Sequence, residues 1–412
     1  MHASDRRIVS LVGLAHALVH TYELSLPILV GAWILEFDAT PATLGLVLTA
    51  GYGLFGFGAL PTGAAVDAVG SRRVLVVCLA GMGLSFALLG VVPGLVGLTV
   101  ALVLWGLAAS MYHPAGLTLI STSARERGTV FAYHGMAGNL GIGLGPLMTA
   151  ILLVFLEWRV VVVALAVPAL LAAGVAAIAR LPQPEDAEDT GLAPSSRLRG
   201  VLENSRVLLT GTFLGVFAIV ILSGLYYRGA LTFLPEVLEG FGEFEAIAIG
   251  EYTLEPGRYL FVAVLLVGVL GQYVGGRLSD VVVPERGIMW VFAALAVIAI
   301  AFIPIGSASI LGFVALGGLL GVFLFMPQPL YQAAVADHTP RAARGLSYGY
   351  TYLGVFGIGA GGSAVAGFAL THADPEALFG LLAAIAALAS LVAAAILRVR
   401  RRHRGIRSSK EV

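Results

Sequence analysis

Cysteine is almost missing from this 412-residue chain: Cys78 stands alone in an apolar run, so no internal disulfide and no thiolate metal cluster can form. Charge is scarce too, at 12% of residues, about half of what a soluble domain carries. The 24 basic and 24 acidic side chains cancel, so net charge gives no reason to expect nucleic-acid binding or a polybasic membrane-surface role. No G-x-x-x-x-G-K-[ST] run is present, and no HExxH or comparable metal spacing. An ATP-driven pump and a polytopic membrane enzyme therefore lack their signatures. No metal and no cofactor are expected, and the chain does not read as an enzyme.

What the chain has is apolar sequence. At 58% it holds enough for roughly twelve bilayer crossings of about 20 apolar residues each. Spanning stretches fall at about 8–35, 43–65, 74–93, 95–120, 130–155 and 159–180, then at about 207–234, 258–281, 287–305, 309–335, 345–371 and 376–397. Between the two sets, residues 182–205 are rich in Pro, Ser and charge and read as a linker. The predicted organisation is an N-terminal six-helix bundle (1–181), a cytoplasmic linker (182–205), a C-terminal six-helix bundle (206–398) and a basic tail (399–412). The first apolar run follows Arg6 and Arg7 as a signal peptide would, but it is too long, carries His and Glu, and lacks a small-residue cleavage site. It reads as a retained first helix.

Lys and Arg near helix ends stay on the cytoplasmic side. All but three of the 24 (Arg159, Arg228 and Arg258) fall at the termini or in alternate loops, which requires an even number of helices with both ends in the cytoplasm. The halves echo each other. Gly63 to Asp67 (GAAVD) ends the second predicted helix as Gly276 to Asp280 (GRLSD) ends the eighth, and Arg127-Gly128 opens the fifth as Arg344-Gly345 opens the eleventh. The fold class expected is an all-α membrane protein, twelve transmembrane helices in two six-helix bundles related by pseudo-two-fold symmetry.

The run Gly63-Ala-Ala-Val-Asp67-Ala-Val-Gly70-Ser-Arg72-Arg73 resembles the loop signature of the major facilitator superfamily, with Ala68 in place of its usual first arginine. Tyr112-His113-Pro114-Ala115-Gly116, followed by Gly138-Asn139-Leu140-Gly141 and Gly145-Pro146, is similar to the fosmidomycin-resistance branch of that superfamily. Departures stand at Ala115, where that branch has an acidic residue, and at Thr149 and Ala150, where the exchanger pattern has glycines. The resemblance implies a secondary transporter working by alternating access. It also implies a latch in which Asp67, supported by Gly63, Gly70, Arg72, Arg73 and their repeat partners Gly276 and Asp280, meets the start of the eleventh helix at Arg344.

Ionisable groups inside spans are costly to bury, so each is a functional candidate. His16, His20 and Glu23, at i, i+4 and i+7, fall within about 60° on one helix face and spread over about 10 Å of rise, near mid-bilayer. Such a stripe is expected to face a water-filled cavity, where it carries protons, holds a polar solute, or forms a self-satisfied structural pair. Further candidates for substrate or proton coupling are His113, Asn139, Arg228, which follows Tyr226 and Tyr227 and reads as an anion attractor or an interface anchor, and Gln328 and Gln332 in a proline-broken helix. His134 reads as an interface residue, and the glycines from 135 to 145 as a packing stripe. The acidic run Glu236, Glu239, Glu243, Glu245, Glu251 and Glu255 reads as a solvated surface beside Arg258 or a concentrator of cations.

The expectation is a plasma-membrane, multi-pass antiporter, monomeric, exporting a small organic solute against protons. Uptake of a polar or anionic nutrient is the alternative within the class, and a membrane enzyme or a non-transporting sensor the remote ones. The partners expected are the solute, protons and the lipid bilayer.

Overall fold

The computed structural model describes residues 1–179, 205–206, 208, 212–241, 246–339 and 344–408, with side chains omitted at 344–345 and from 401 onward. The predicted linker, apart from Ser205, lies outside the described residues, as do Glu243 and Glu245.

Of the described residues 87% are helical. The first half of the chain runs α1 (Ala3–Phe37), α2 (Pro41–Phe57), α3 (Ala59–Val69), α4 (Ser71–Leu89), α5 (Leu95–Ala109), α6 (Tyr112–Ser123), α7 (Arg127–Phe155) and α8 (Trp158–Ile178). The second half runs α9 (Thr212–Leu231), α10 (Leu234–Glu239), β1 (Ile247–Ile249), β2 (Tyr252–Leu254), α11 (Pro256–Val281), α12 (Pro284–Gly306), α13 (Ile310–Phe325) and α14 (Pro327–Asp337). It closes with α15 (Arg344–Tyr352), a π-helical turn (Leu353–Ile358), α16 (Gly361–His372) and α17 (Pro375–Ser408). Among the described residues eleven helical spans are long and apolar enough to cross a membrane, three of them joining consecutive helices (α5–α6, α13–α14 and α15–α16), and the α2–α3 pair, bent by 44°, is the twelfth when counted as one span. The spans predicted from sequence fall on these helices. The β1–β2 hairpin, turned at Gly250 with φ +65°, is an element the apolar pattern did not announce.

Local chemistry explains the breaks. Thr40 caps α2 by accepting from the Thr43 amide, with Pro41 fixing the first turn. Gly70 joins α3 to α4 at φ +84°, a conformation only glycine adopts cheaply. Asp5, fully buried, accepts from the amides of Arg125 (3.1 Å) and Glu126 (2.9 Å), so it ties the start of α1 to the α6–α7 junction.

Contact density groups the described residues into two units: Met1–Asp189 with Leu231–Leu265 and Ser363–His372, and Thr190–Ala230 with Leu266–Gly362 and Ala373–Val412. In the first unit α1 lies along α7, α4 along α8 and α2 along α5. The α1–α7 seam is a backbone-to-backbone contact. A Cβ on Gly141 would stand 2.1 Å from the Ala17 carbonyl oxygen, and one on Gly145 2.5 Å from Thr21 Cα. In the second unit α12 packs against α17 and α13. Glu285, with no exposed surface, receives two hydrogen bonds from Arg400 at 3.0 Å and lies 2.5 Å from His338 Nε2. His338 Nδ1 in turn lies 2.8 Å from the Thr212 hydroxyl, so four helices of the unit meet at one charged centre.

Candidate functional site

The first unit holds a buried polar cluster. His16 and His20 sit one turn apart on α1, Glu23 follows, and α6 adds His113 while α7 adds His134. Apolar packing surrounds them: Glu23 is 1% exposed and His16 7%, whereas His20 keeps 14% of its surface open. His20 is the most exposed member.

Each ring is positioned by a named neighbour. His16 donates from Nδ1 to the His134 carbonyl oxygen at 2.8 Å. Its ring stacks on that of His134, with centroids 3.9 Å apart and planes 14° from parallel. The stacking needs Gly138, because a Cβ there would lie 2.5 Å from the His16 ring. The Tyr112 ring lies 5.1 Å from that of His16 and 6.0 Å from that of His134, and its hydroxyl donates to the Val12 carbonyl at 2.7 Å and holds α6 against α1. His20 Nδ1 lies 2.7 Å from Glu23 Oε2, and the two Nε2 atoms of His16 and His20 are 3.1 Å apart. Tyr52 of α2 donates to the Glu23 backbone carbonyl at 2.9 Å. The arrangement is an unbroken chain from a backbone carbonyl through two imidazoles to a carboxylate.

The other sequence candidates are spread over the chain. Asn139 is half-buried on α7, beside Gly138. Arg228 of α9 is buried to 1%, with its guanidinium carbon 5.5 Å from the Tyr227 ring and 5.8 Å from Phe356, next to the π-helical turn. Gln328 accepts from Gln272 Nε2 at 2.9 Å, while Gln332, one turn on, is exposed. Among the latch candidates, Arg72 donates to the carbonyls of Ala177 (3.0 Å) and Ala179 (2.9 Å) and so ties the α3–α4 junction to the end of α8. Arg73 is exposed in the same first turn. A methyl at Gly63, or at Gly276, would meet nothing within 4 Å. Asp67 lies on α3, Asp280 near the end of α11 and Arg344 at the first residue of α15.

Three groups were under-read in the sequence. His134 is part of the cluster rather than an interface residue; its phase with Gly138 and Gly141, at i+4 and i+7, was the available signal. The Glu285–His338–Arg400 centre carried none, since its members come from distant helices. Within the acidic run, Glu236 seats Oε1 3.3 Å from where a Cβ on Gly31 of α1 would be, and its Oε2 is buried. Burial, helped by neighbouring Glu239, pushes the Glu236 carboxyl up to about 8. Burial and Glu255 push Glu239 up to about 7, against the pull of Arg258.

The sequence model of the Major Facilitator Superfamily matches residues 12–250 and, a second time, residues 219–412. The chain belongs to the major facilitator superfamily. That superfamily consists of multi-pass membrane transporters and not of enzymes. The puromycin resistance protein pur8 of Streptomyces alboniger is 30% identical over 351 residues, 84% of this chain. That match spans 59% of the relative's length. Solved structures share the fold. A bacterial homologue of the human lysosomal transporter Spinster has a TM-score of 0.74 at 14% identity, covering 97% of this chain and 98% of that one. A D-xylose–proton symporter has a TM-score of 0.74 at 14% identity, covering 95% and 97%. A mutant of the nucleoside transporter NupG has the same score and identity, covering 95% and 99%.

Proposed function

We propose that this transporter exports a small organic solute by alternating access, driven by the proton gradient across the cell membrane, as a monomer with both termini cytoplasmic. The observation that carries the reading is the cluster of buried His16, His113 and Glu23 with part-exposed His20 inside an otherwise apolar bundle of a superfamily member. Polar groups at such depth are retained where they bind what crosses. Export is favoured by the pur8 likeness, since that relative is named for resistance to puromycin. The energy source is an ion gradient, because the sequence carries no nucleotide-binding run. Protons fit that role through Glu236 and Glu239, whose carboxyls sit at about 8 and about 7 and therefore change charge near neutral pH. Asp67 and the start of α15 at Arg344 serve as the cytoplasmic latch. Buried Arg228 favours a second reading, uptake of an anionic nutrient.

Proteoliposomes with an imposed pH gradient test this against a panel of amphipathic cations, phosphonates, organic acids and sugars. Gradient-dependent export of one class, lost in H20A and no longer uphill in E236Q, is expected. Flux unchanged when an uncoupler collapses the gradient would end the proton-driven reading.

A further inference from the structure

Hydrogen-bond roles in the cluster leave an electrostatic gap. A carbonyl oxygen only accepts, so His16 carries its hydrogen on Nδ1 and, when neutral, a lone pair on Nε2. An ionised Glu23 only accepts, so His20 likewise has Nδ1–H and a lone pair on Nε2. These two lone pairs face each other across 3.1 Å. With Glu23 ionised, two acceptors at that separation repel unless a positive centre stands between or beside them. His113 supplies a third imidazole: one nitrogen from each of His16, His20 and His113 lies within 4.8 Å of the others.

We propose that His16, His20 and His113 form a binding site for a divalent late transition-metal ion such as zinc, cobalt or nickel, with Glu23 behind His20 as the charge-balancing acceptor. The spacing fits. Metal–nitrogen bonds of about 2.0–2.1 Å at a tetrahedral angle place two ligand nitrogens about 3.3 Å apart, close to the 3.1 Å between His16 and His20; a pair at the 4.8 Å limit has to close by about 1.5 Å. The orientation of two of the three rings, His16 and His20, fits as well. Imidazoles that bind metal donate their other N–H to a carbonyl or a carboxylate, and here one does each. His16 and His20 stand at i and i+4 on one helix, the spacing that lets a helix offer two ligands to one ion. Three neutral imidazoles leave a coordination position open, which a donor atom of a solute or water fills. The metal class follows from the donors, since imidazole suits zinc, nickel, cobalt and copper and not the hard, oxygen-seeking ions.

This inference deepens the central site of the proposed function but is independent of transport, direction and solute. The test uses the full-length protein with a non-histidine affinity tag, stripped with chelator in detergent. Cobalt(II) is followed by its visible ligand-field bands and zinc by titration calorimetry. One equivalent is expected, with bands of tetrahedral intensity. H20A and H113A each abolish the bands, and E23Q weakens binding about 10- to 100-fold. H338A and H372A leave them unchanged. Because H16A disturbs the α1–α7 seam, H20A at the part-exposed position is the decisive variant, with thermal unfolding verifying its fold. Absence of binding in the unaltered protein, or bands that survive H20A and H113A together, overturns the proposal and leaves a proton as the positive centre. Neither result alters the proteoliposome measurement, so the two readings fail separately.

Discussion

Gly141→Ala puts the α1–α7 seam to its sharpest test. A Cβ at Gly141 falls 2.1 Å from the Ala17 carbonyl oxygen and 2.8 Å from Ala17 C and Cα. A relaxed carbon–oxygen contact needs about 3.3 Å, so the helices must part by about 1 Å. A gap of that size forfeits roughly a quarter to a half of each dispersion contact along the seam, and overpacking of this kind costs about 1–3 kcal/mol. Alanine returns up to about 1 kcal/mol of helix propensity, which leaves a net loss of about 2 kcal/mol. Gly135, two turns earlier on α7, is the internal control, because a methyl there meets nothing within 4 Å. G135A is therefore expected to be neutral or mildly stabilising. Tryptophan-fluorescence unfolding in detergent, at one fixed scan rate, should place G141A several degrees below G135A. If G141A unfolds at or above the G135A temperature, the seam is looser than its glycines imply and the reasoning fails.

Three further outcomes follow. Arg400→Ala leaves the fully buried Glu285 with His338 alone, and should lower stability by about 2–3 kcal/mol, read as the same unfolding midpoint; an unchanged midpoint would show that the charge finds another partner. For Glu236 the sign is set by its native value of about 8 lying above the ordinary 4.5: the native protein holds a proton the unfolded chain has released, so stability is full below about pH 4.5 and declines as pH rises towards 8. The fall is on the order of 3 kcal/mol after allowing for partial solvent screening, and E236Q should flatten the pH profile of the midpoint between pH 5 and 9. Asp67→Ala should reduce transport at least severalfold at equal protein level in the membrane without moving the unfolding midpoint, and wild-type flux in that variant would retire the latch.

The architecture was legible because a bilayer leaves few solutions: runs of about 20 apolar residues must be helices. Helix breaks were less legible. The α2–α3 bend at Gly58 and the α5–α6 break near Ser110 arise where these segments touch, since a Cβ on Gly58 would collide with the Ser110 hydroxyl at 2.3 Å, and nothing within either segment announces the other. The His16–His20–Glu23 stripe was readable from helical phase alone. His134 was not, because a count of residues from the helix end says how deep a side chain lies and not which neighbour it faces. Glu236 was misread for the opposite reason. It belongs to an acidic run, and composition treats all members of a run alike, whereas Gly31 gives this one carboxyl a bare patch of α1 to lie on.

The glycines of α7 and the polar stripe of α1 form one device. Ionisable side chains near mid-bilayer are tolerated only where protein covers them and supplies their hydrogen bonds. Residues with side chains at 138, 141 and 145 would hold α7 off α1, and the His134 carbonyl would then be out of reach of His16. With glycine at those positions the backbones meet, the carbonyl orients the first imidazole, and that ring points the pair of Nε2 atoms at each other. The seam therefore governs the chemistry of the cluster as well as its burial. Gly138→Ala separates the two roles: its Cβ would press on the His16 ring at 2.5 Å and on no backbone atom nearer than that ring. It should cost less stability than G141A yet displace Nε2, so that cobalt affinity falls at least tenfold while the unfolding midpoint moves little. Equal losses in both measurements would mean that the seam only packs, and that the histidines are aligned by something other than α7.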